Sequence, residues 1–273
     1  MRTVTLDLPR RVSLLGLLGL LGLALVASGC ELAFTDLKAE SHNDWSKTYT
    51  LTGGGEVEVR NLNGKIDVAP SRDAQLHVRA ERSAKGADDA AAKALLDKVE
   101  IVETVSGSRV RLETKGPHST GWLSGSYKVD YYLQVPAGMR VAVRTTNGHV
   151  SLENLPNPVE ARTTNGGISG SGLSGAVDAG TTNGGIEVEV SAVAGEGIAL
   201  ETTNGGVDLK IPSDAKADIS ARVMNGGIST GSLAVERLDD GSESRRKLEG
   251  RLNGGGPRIR LETTNGGISI TGR

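Results

Sequence analysis

Apolar and polar residues alternate along most of this chain, and in its second half the alternation runs repeatedly into one six-residue phrase, Thr-Thr-Asn-Gly-Gly-Ile. The phrase is intact at 163–168, 181–186 and 263–268; 145–150 carries His149 for the second glycine, 202–207 ends in Val207, and 223–228 opens with Val-Met. A worn copy, Asn61-Leu62-Asn63-Gly64-Lys65-Ile66, lies far upstream. Counting back from each turn asparagine, the sixth and fourth positions are apolar in every copy, from Val57 and Val59 to Ile259 and Leu261, and the third position after it is always Ile or Val. Alternation that enters an Asn-Gly turn and leaves it again predicts strand, turn, strand, with β-branched residues suited to a half-buried pleated surface.

Asn147, Asn165, Asn183, Asn204 and Asn225 follow one another at intervals of 18, 18, 21 and 21 residues, room for two or three short strands and their corners. A hairpin meander also uses Asn-Gly turns, but nothing in it requires the same six residues at the same depth of every unit. A parallel solenoid does, because rungs about 4.8 Å apart place like residues over like. Stacked asparagine amides can then hydrogen-bond from rung to rung. The predicted fold is all-β, a parallel β-solenoid, right-handed by the crossover rule. Its turn ladder is Asn63, Asn147, Asn165, Asn183, Asn204, Asn225 and Asn265.

Between Val68 and Gly138 the rhythm breaks. Strands are predicted at 76–80, 100–105, 109–113 and 127–135, and Asp88 or Asp89 caps a helix that sets Ala91, Leu95 and Val99 on one face. This is a small mixed α/β N-terminal cap, one way to cover the unpaired edges at a solenoid's end. Residues 239–246 read as a charged surface loop, and the glycine run 254–256 as a tight crossing or bulge before the last coil.

At the N-terminus, Arg2, Arg10 and Arg11 precede an apolar run, 12–26, that falls short of the roughly 20 residues of a membrane span. It ends in Ala27-Ser28-Gly29-Cys30, the pattern of a secretory signal. The lone cysteine after small residues resembles a bacterial lipobox, which implies lipidation of Cys30 and attachment to a membrane through that lipid. The resulting organisation is a signal peptide at 1–29, a flexible tether at 30–48, the cap and first strands at 49–140, and the repeats at 141–273. Glu31 in place of Asp after the lipid cysteine mildly favours the outer membrane of a bacterial envelope over inner-membrane retention.

The coils built on Thr-x-Asn-Gly-x-Ile, the Val-Pro-Ala-Gly turn at 135–138 and the closing Gly-Gly-Gly-Pro-x-Ile-x-Leu at 254–261 resemble the bacterial putative-adhesin domain. That family's activity is unknown, and it often follows a lipoprotein signal or membrane anchor. The resemblance spans about residues 50–273 and implies a structural or adhesive role at the cell envelope.

Composition narrows the chemistry. With 31 basic and 33 acidic residues the net charge is -2, which argues against a nucleic-acid partner. A single cysteine leaves no internal disulfide, so the fold rests on its hydrophobic core. His42, His77, His118 and His149 are scattered, the turns lack the Asp of calcium-binding repeats, and no metal site or cofactor is expected. The outward positions four beyond each turn asparagine include Glu187 and Asp208, with Glu189 and Lys210 beside them, the candidate carboxylates for a polysaccharide-active enzyme; a solvated sheet face whose charges deter edge pairing is the expected reading. The inward threonines share the parity of the core, which favours corner packing over a flat threonine array. All seven aromatics precede the main repeats, so Trp122 and Tyr132 in the cap are the candidate contacts for a glycan. The expected function is a non-catalytic, lipid-anchored adhesin or scaffold whose ligand is a cell-surface glycan or an envelope protein. The alternatives are the enzyme and a periplasmic partner or sensor.

Overall fold

A computed structural model describes residues 39–51, 54–117, 125–238 and 245–273. Cys30, Trp122 and His118 lie outside them, as does most of the charged loop at 239–246. The described chain forms two facing sheets, one of ten strands and one of eleven.

Seven coils share one plan: a strand in the larger sheet, the Asn-Gly corner, then a strand in the smaller sheet. In stacking order the pairs are β2 (Glu56–Arg60) with β3 (Ile66–Pro70), β8 (Arg140–Asn147) with β9 (Val150–Glu153), and β10 (Val159–Asn165) with β11 (Ile168–Leu173). Then follow β12 (Val177–Asn183) with β13 (Ile186–Val190), and β14 (Ile198–Asn204) with β15 (Val207–Ile211). The sixth coil in space is the last in sequence, β20 (Arg258–Asn265) with β21 (Ile268–Gly272), and the seventh is β16 (Ala217–Asn225) with β17 (Ile228–Ser229). All are parallel and in register, as in Val141↔Val159↔Val177↔Ile198↔Ile259↔Ile219. The worn copy stacks directly on the coil of 145–150, with Asn63 bridged to Asn147.

The alternation has the consequence the sequence predicts. Val143, Leu200, Leu261, Val150, Ile168 and Ile268 are all buried between the sheets, and enclosing a side chain of this size contributes roughly 1.5–3 kcal/mol. The inward threonines are buried too, and at the corner each hydroxyl meets a carbonyl. Thr145, Thr163, Thr181, Thr202 and Thr263 donate to the first glycine of the adjacent coil, at 2.9–3.1 Å.

The cap is mixed, as expected. In the smaller sheet β1 (Ala39–Thr50), β4 (Gln75–Gly86) and β7 (Ser126–Val135) precede β3, with β1 and β4 antiparallel; in the larger, β5 (Glu100–Ser106) and β6 (Arg109–Lys115) precede β2. The helix α1 (Asp89–Leu96) starts at Asp88, whose side chain accepts the Ala91 N–H. Two details differ from expectation. The helix buries Ala92 and Leu96, with Val99 following, while Ala91 is exposed, a face one residue round from that predicted. Residues 39–48, expected in the tether, belong to β1. Its hydrophobic pattern is hidden because the strand forms the rim, where only Trp45 and Tyr49 pack inward and Lys47 reaches across to Glu103 of β5 at 2.6 Å. Tyr49 also donates to Glu103, closing the two sheet edges over the end of the core.

The other end departs further. β18 (Val235–Arg237) and β19 (Lys247–Leu252) extend the larger sheet beyond β16 as antiparallel strands. From β19 the chain turns back through the glycine run into β20, so the last coil enters between two coils made earlier. The run is a crossing: Asn253 (φ 50°), Gly254 (φ 89°) and Gly255 (φ 85°) are left-handed, and the Asn253 amide donates to Ser213 and Ala215, carbonyls of the segment joining β15 to β16.

Candidate functional site

The outer faces of the two sheets carry different chemistry. On the larger sheet charges are paired along and between strands: Arg109 with Glu56 at 2.6 Å, Arg144 with Glu160 at 2.7 Å, Arg162 with Asp178 at 2.6 Å and Arg260 with Glu262 at 3.0 Å. Gly180 leaves the room that the Arg162 side chain lies in.

On the smaller sheet, the residues four beyond each turn asparagine form one column, Asp67, Ser151, Ser169, Glu187, Asp208, Ser269 and Ser229. A second column two residues on contains Glu153 and Ser171, then Glu189, Lys210 and Thr271. Apart from Asp67 and Ser229 at the ends of the first column, they line a groove of about 430 Å³ across β9, β11, β13, β15 and β21. Glu187 and Asp208 stand side by side on adjacent strands, as the spacing anticipates. Glu189 is held by Arg273 at 2.9 Å and Lys210 at 3.8 Å; among the described residues no ion pair engages Glu187 or Asp208. The surface is thus rich in hydroxyls, with two carboxylates free to meet a ligand.

A bulge shapes the groove's middle. Gly170 occupies the inward position held by Leu152, Val188 and Leu209 in the neighbouring coils, and one extra residue between Gly170 and Leu173 swings the Leu173 side chain into the space left empty. Ser171 keeps its pairing with Glu153 of β9, while Ser171 and Gly172 drop out of the ladder with β13, a common device beside sites. The sequence signal for it is the single glycine in an otherwise branched apolar column.

Tyr132 faces outward on the same sheet, on β7. Lys65 lies 4.6 Å and Arg79 4.4 Å from its ring centroid, reaching over from the strands on either side, and its hydroxyl donates to Glu81. The hydrogen bond to Asp67, with the nearby Tyr132 adding to it, raises the Lys65 pKa although partial burial of the ammonium opposes it. The ring is occupied by these cations, which sequence reasoning missed, and it does not adjoin the groove. His149 is exposed and bonds Ser169 at 2.8 Å. Among the described residues, no three His, Cys, Asp or Glu side chains converge as metal ligands.

The turn asparagines do come together, in one unbroken row. Asn147 donates to Asn63, Asn165 to Asn147, Asn183 to Asn165, Asn204 to Asn183, Asn265 to Asn204 and Asn225 to Asn265, all at 2.7–2.9 Å. The first glycine of each turn is fixed by the same stacking. A Cβ on Gly148, Gly166, Gly184, Gly205, Gly266 or Gly226 would stand 1.8–2.0 Å from the carbonyl oxygen of its neighbour below. The groove is therefore held on a rigid backbone.

A stack of short parallel coils with an Asn-Gly corner and a mixed cap defines a β-solenoid domain. Residues 55–271 match the Toastrack DUF4097 family, and the chain belongs to it. Among solved structures it is similar to a "putative cell adhesion protein" from Clostridium sporogenes, with 12% identity over 85% of this chain and 100% of that one, TM-score 0.48. It is also similar to a "putative adhesin" from Bacteroides fragilis, with 11% identity over 85% and 98% of the two chains, TM-score 0.31. No curated protein matches it.

Proposed function

We propose that this chain is a non-catalytic envelope protein, held to a membrane by a lipid on Cys30, that presents the outer face of its smaller sheet to an extended glycan. The observation that carries this reading is the groove over five coils, in which two columns of hydroxyls and carboxylates repeat at the rung spacing of about 4.8 Å. A periodic surface suits a ligand that is itself periodic and linear, and Glu187 and Asp208 favour one bearing hydroxyl or amino groups. The contact is better placed here than at Tyr132, whose ring is already covered.

Binding of the full chain to fractionated envelope polysaccharides, followed by calorimetry, tests the ligand. Ser169→Arg, which fills the groove from an outward position, is expected to weaken binding at least about tenfold, or 1.4 kcal/mol, with the circular dichroism spectrum unchanged. Equal binding by the variant would remove the groove from the proposal. Protease accessibility on intact cells, with and without Cys30→Ser, tests the anchor and the exposed face. The adjacency of Glu187 and Asp208 supports one rival, hydrolysis or elimination on a polysaccharide. Turnover that vanishes in Glu187→Gln with Asp208→Asn, while binding persists, would favour it.

A further inference from the structure

The coil made of β20 and β21 is last in sequence, yet it lies between coils five and seven and is paired in parallel on both sides. The segment joining β15 to β16 therefore skips a rung, and that rung is filled only after residues 217–252 have been passed. Until then the edges of coils five and seven that receive it have no occupant, and each presents the same pattern of core residues and amides, with Val223 of coil seven at the inward threonine position. A coil from another copy of the chain makes every contact there that the chain's own coil makes.

We propose that this coil is exchangeable: two copies associate by each seating residues 258–272 in the other's slot between coils five and seven. The hinge is at hand. Asn253, Gly254 and Gly255 hold a left-handed reversal, tied down by the Asn253 amide bonds and by the Gly255 N–H to the Leu252 carbonyl at 3.1 Å. Opening the hinge gives up these bonds and releases an asparagine from a conformation that costs free energy outside glycine. Extended, the five residues from Asn253 to Pro257 reach about 17 Å, so the copies meet at this corner of the solenoid. Because the contacts within the slot are conserved, association is governed by protein concentration and by the hinge, as in other domain exchanges.

Glu201 and Glu262 face each other across coils five and six on the outer surface of the larger sheet, which gives a direct test. Full chains carrying Cys30→Ser and either Glu201→Cys or Glu262→Cys are mixed, unfolded together, refolded at high concentration and oxidised. The expected result is a cross-chain disulfide at roughly ten times the level found when Glu262→Cys is replaced by Asp178→Cys, which would not face Glu201 in an exchanged pair. A chain carrying both Glu201→Cys and Glu262→Cys, first closed by its own disulfide, is expected to stay monomeric because its slot is filled. Deleting Gly254 and Gly255, in a chain with no added cysteine, is expected to raise the dimer fraction about tenfold by chromatography, since too short a hinge cannot turn back. Equal cross-linking by the two mixed pairs, dimers of the closed chain, or no dimer under any condition would overturn the proposal.

Discussion

Coils two to five each turn twice, and the two corners are made differently. Between β12 and β13 the chain reverses through Thr181, Thr182, Asn183, Gly184 and Gly185, and three of the five are engaged with the coil below by hydroxyl, amide or close backbone packing. Between β13 and β14 it reverses through residues 191–197, where the bonds to neighbouring coils come from the ends: Ser191 donates to Leu173, and Val177 donates to the Gly197 carbonyl. Residues 192–196 are exposed or half-buried. The first corner repeats almost letter for letter; the second changes in length and composition from coil to coil. Repetition is confined to positions where a residue must fit its own copy, and drift is permitted where it faces water.

That contrast can be broken or sharpened by substitution, with stability read from urea unfolding. The largest effect is expected at Gly205→Ala, whose Cβ would stand 2.0 Å from the Gly184 carbonyl oxygen; separating the coils there should cost about 3–5 kcal/mol. Next is Thr181→Val, which keeps the shape and leaves the Gly166 carbonyl without its 2.9 Å donor, a loss of about 1–3 kcal/mol. Asn183→Ala removes two amide bonds from an exposed row and should cost about 1 kcal/mol. Inserting Gly-Ser after Ala194, in the second corner, should change stability by less than about 0.5 kcal/mol. An insertion as damaging as Gly205→Ala would show that both corners set the register.

The same contrast explains what could be read from the sequence. The coils, their inward positions and the amide row were legible because each depends on a local pattern that recurs. Coil order was not, because Ile259, Leu261 and Asn265 would fit any rung equally well; interchangeable parts do not declare their sequence of assembly. β1 escaped notice because a rim strand has little to bury, and Lys47 stands at an inward position. In the groove, Glu187 and Asp208 were found by counting from the turn, whereas the bulge at Ser171 depends on how Leu173 answers the absence at Gly170. The cations over Tyr132 come from separate strands, an arrangement no linear pattern displays.

The amide row also bears on how this protein ages. An asparagine followed by glycine is the dipeptide most prone to lose its side-chain nitrogen, because the next backbone nitrogen can attack the side-chain carbonyl and close a five-membered ring. Here that nitrogen is already committed: the N–H after Asn63, Asn147, Asn165, Asn183, Asn204 and Asn265 donates to the asparagine carbonyl of the next coil, at 2.8–3.0 Å. Stacking that sets the register thus also disarms the reaction the turn sequence invites. On the last coil of the stack, Val223 and Ile228 on either side of Asn225 donate to Arg246 and Arg245, but among the described residues no carbonyl accepts the Gly226 N–H. Chemical decay of the row should begin there and move inward one rung at a time, so the stack would wear from its last coil toward its cap as a rope frays.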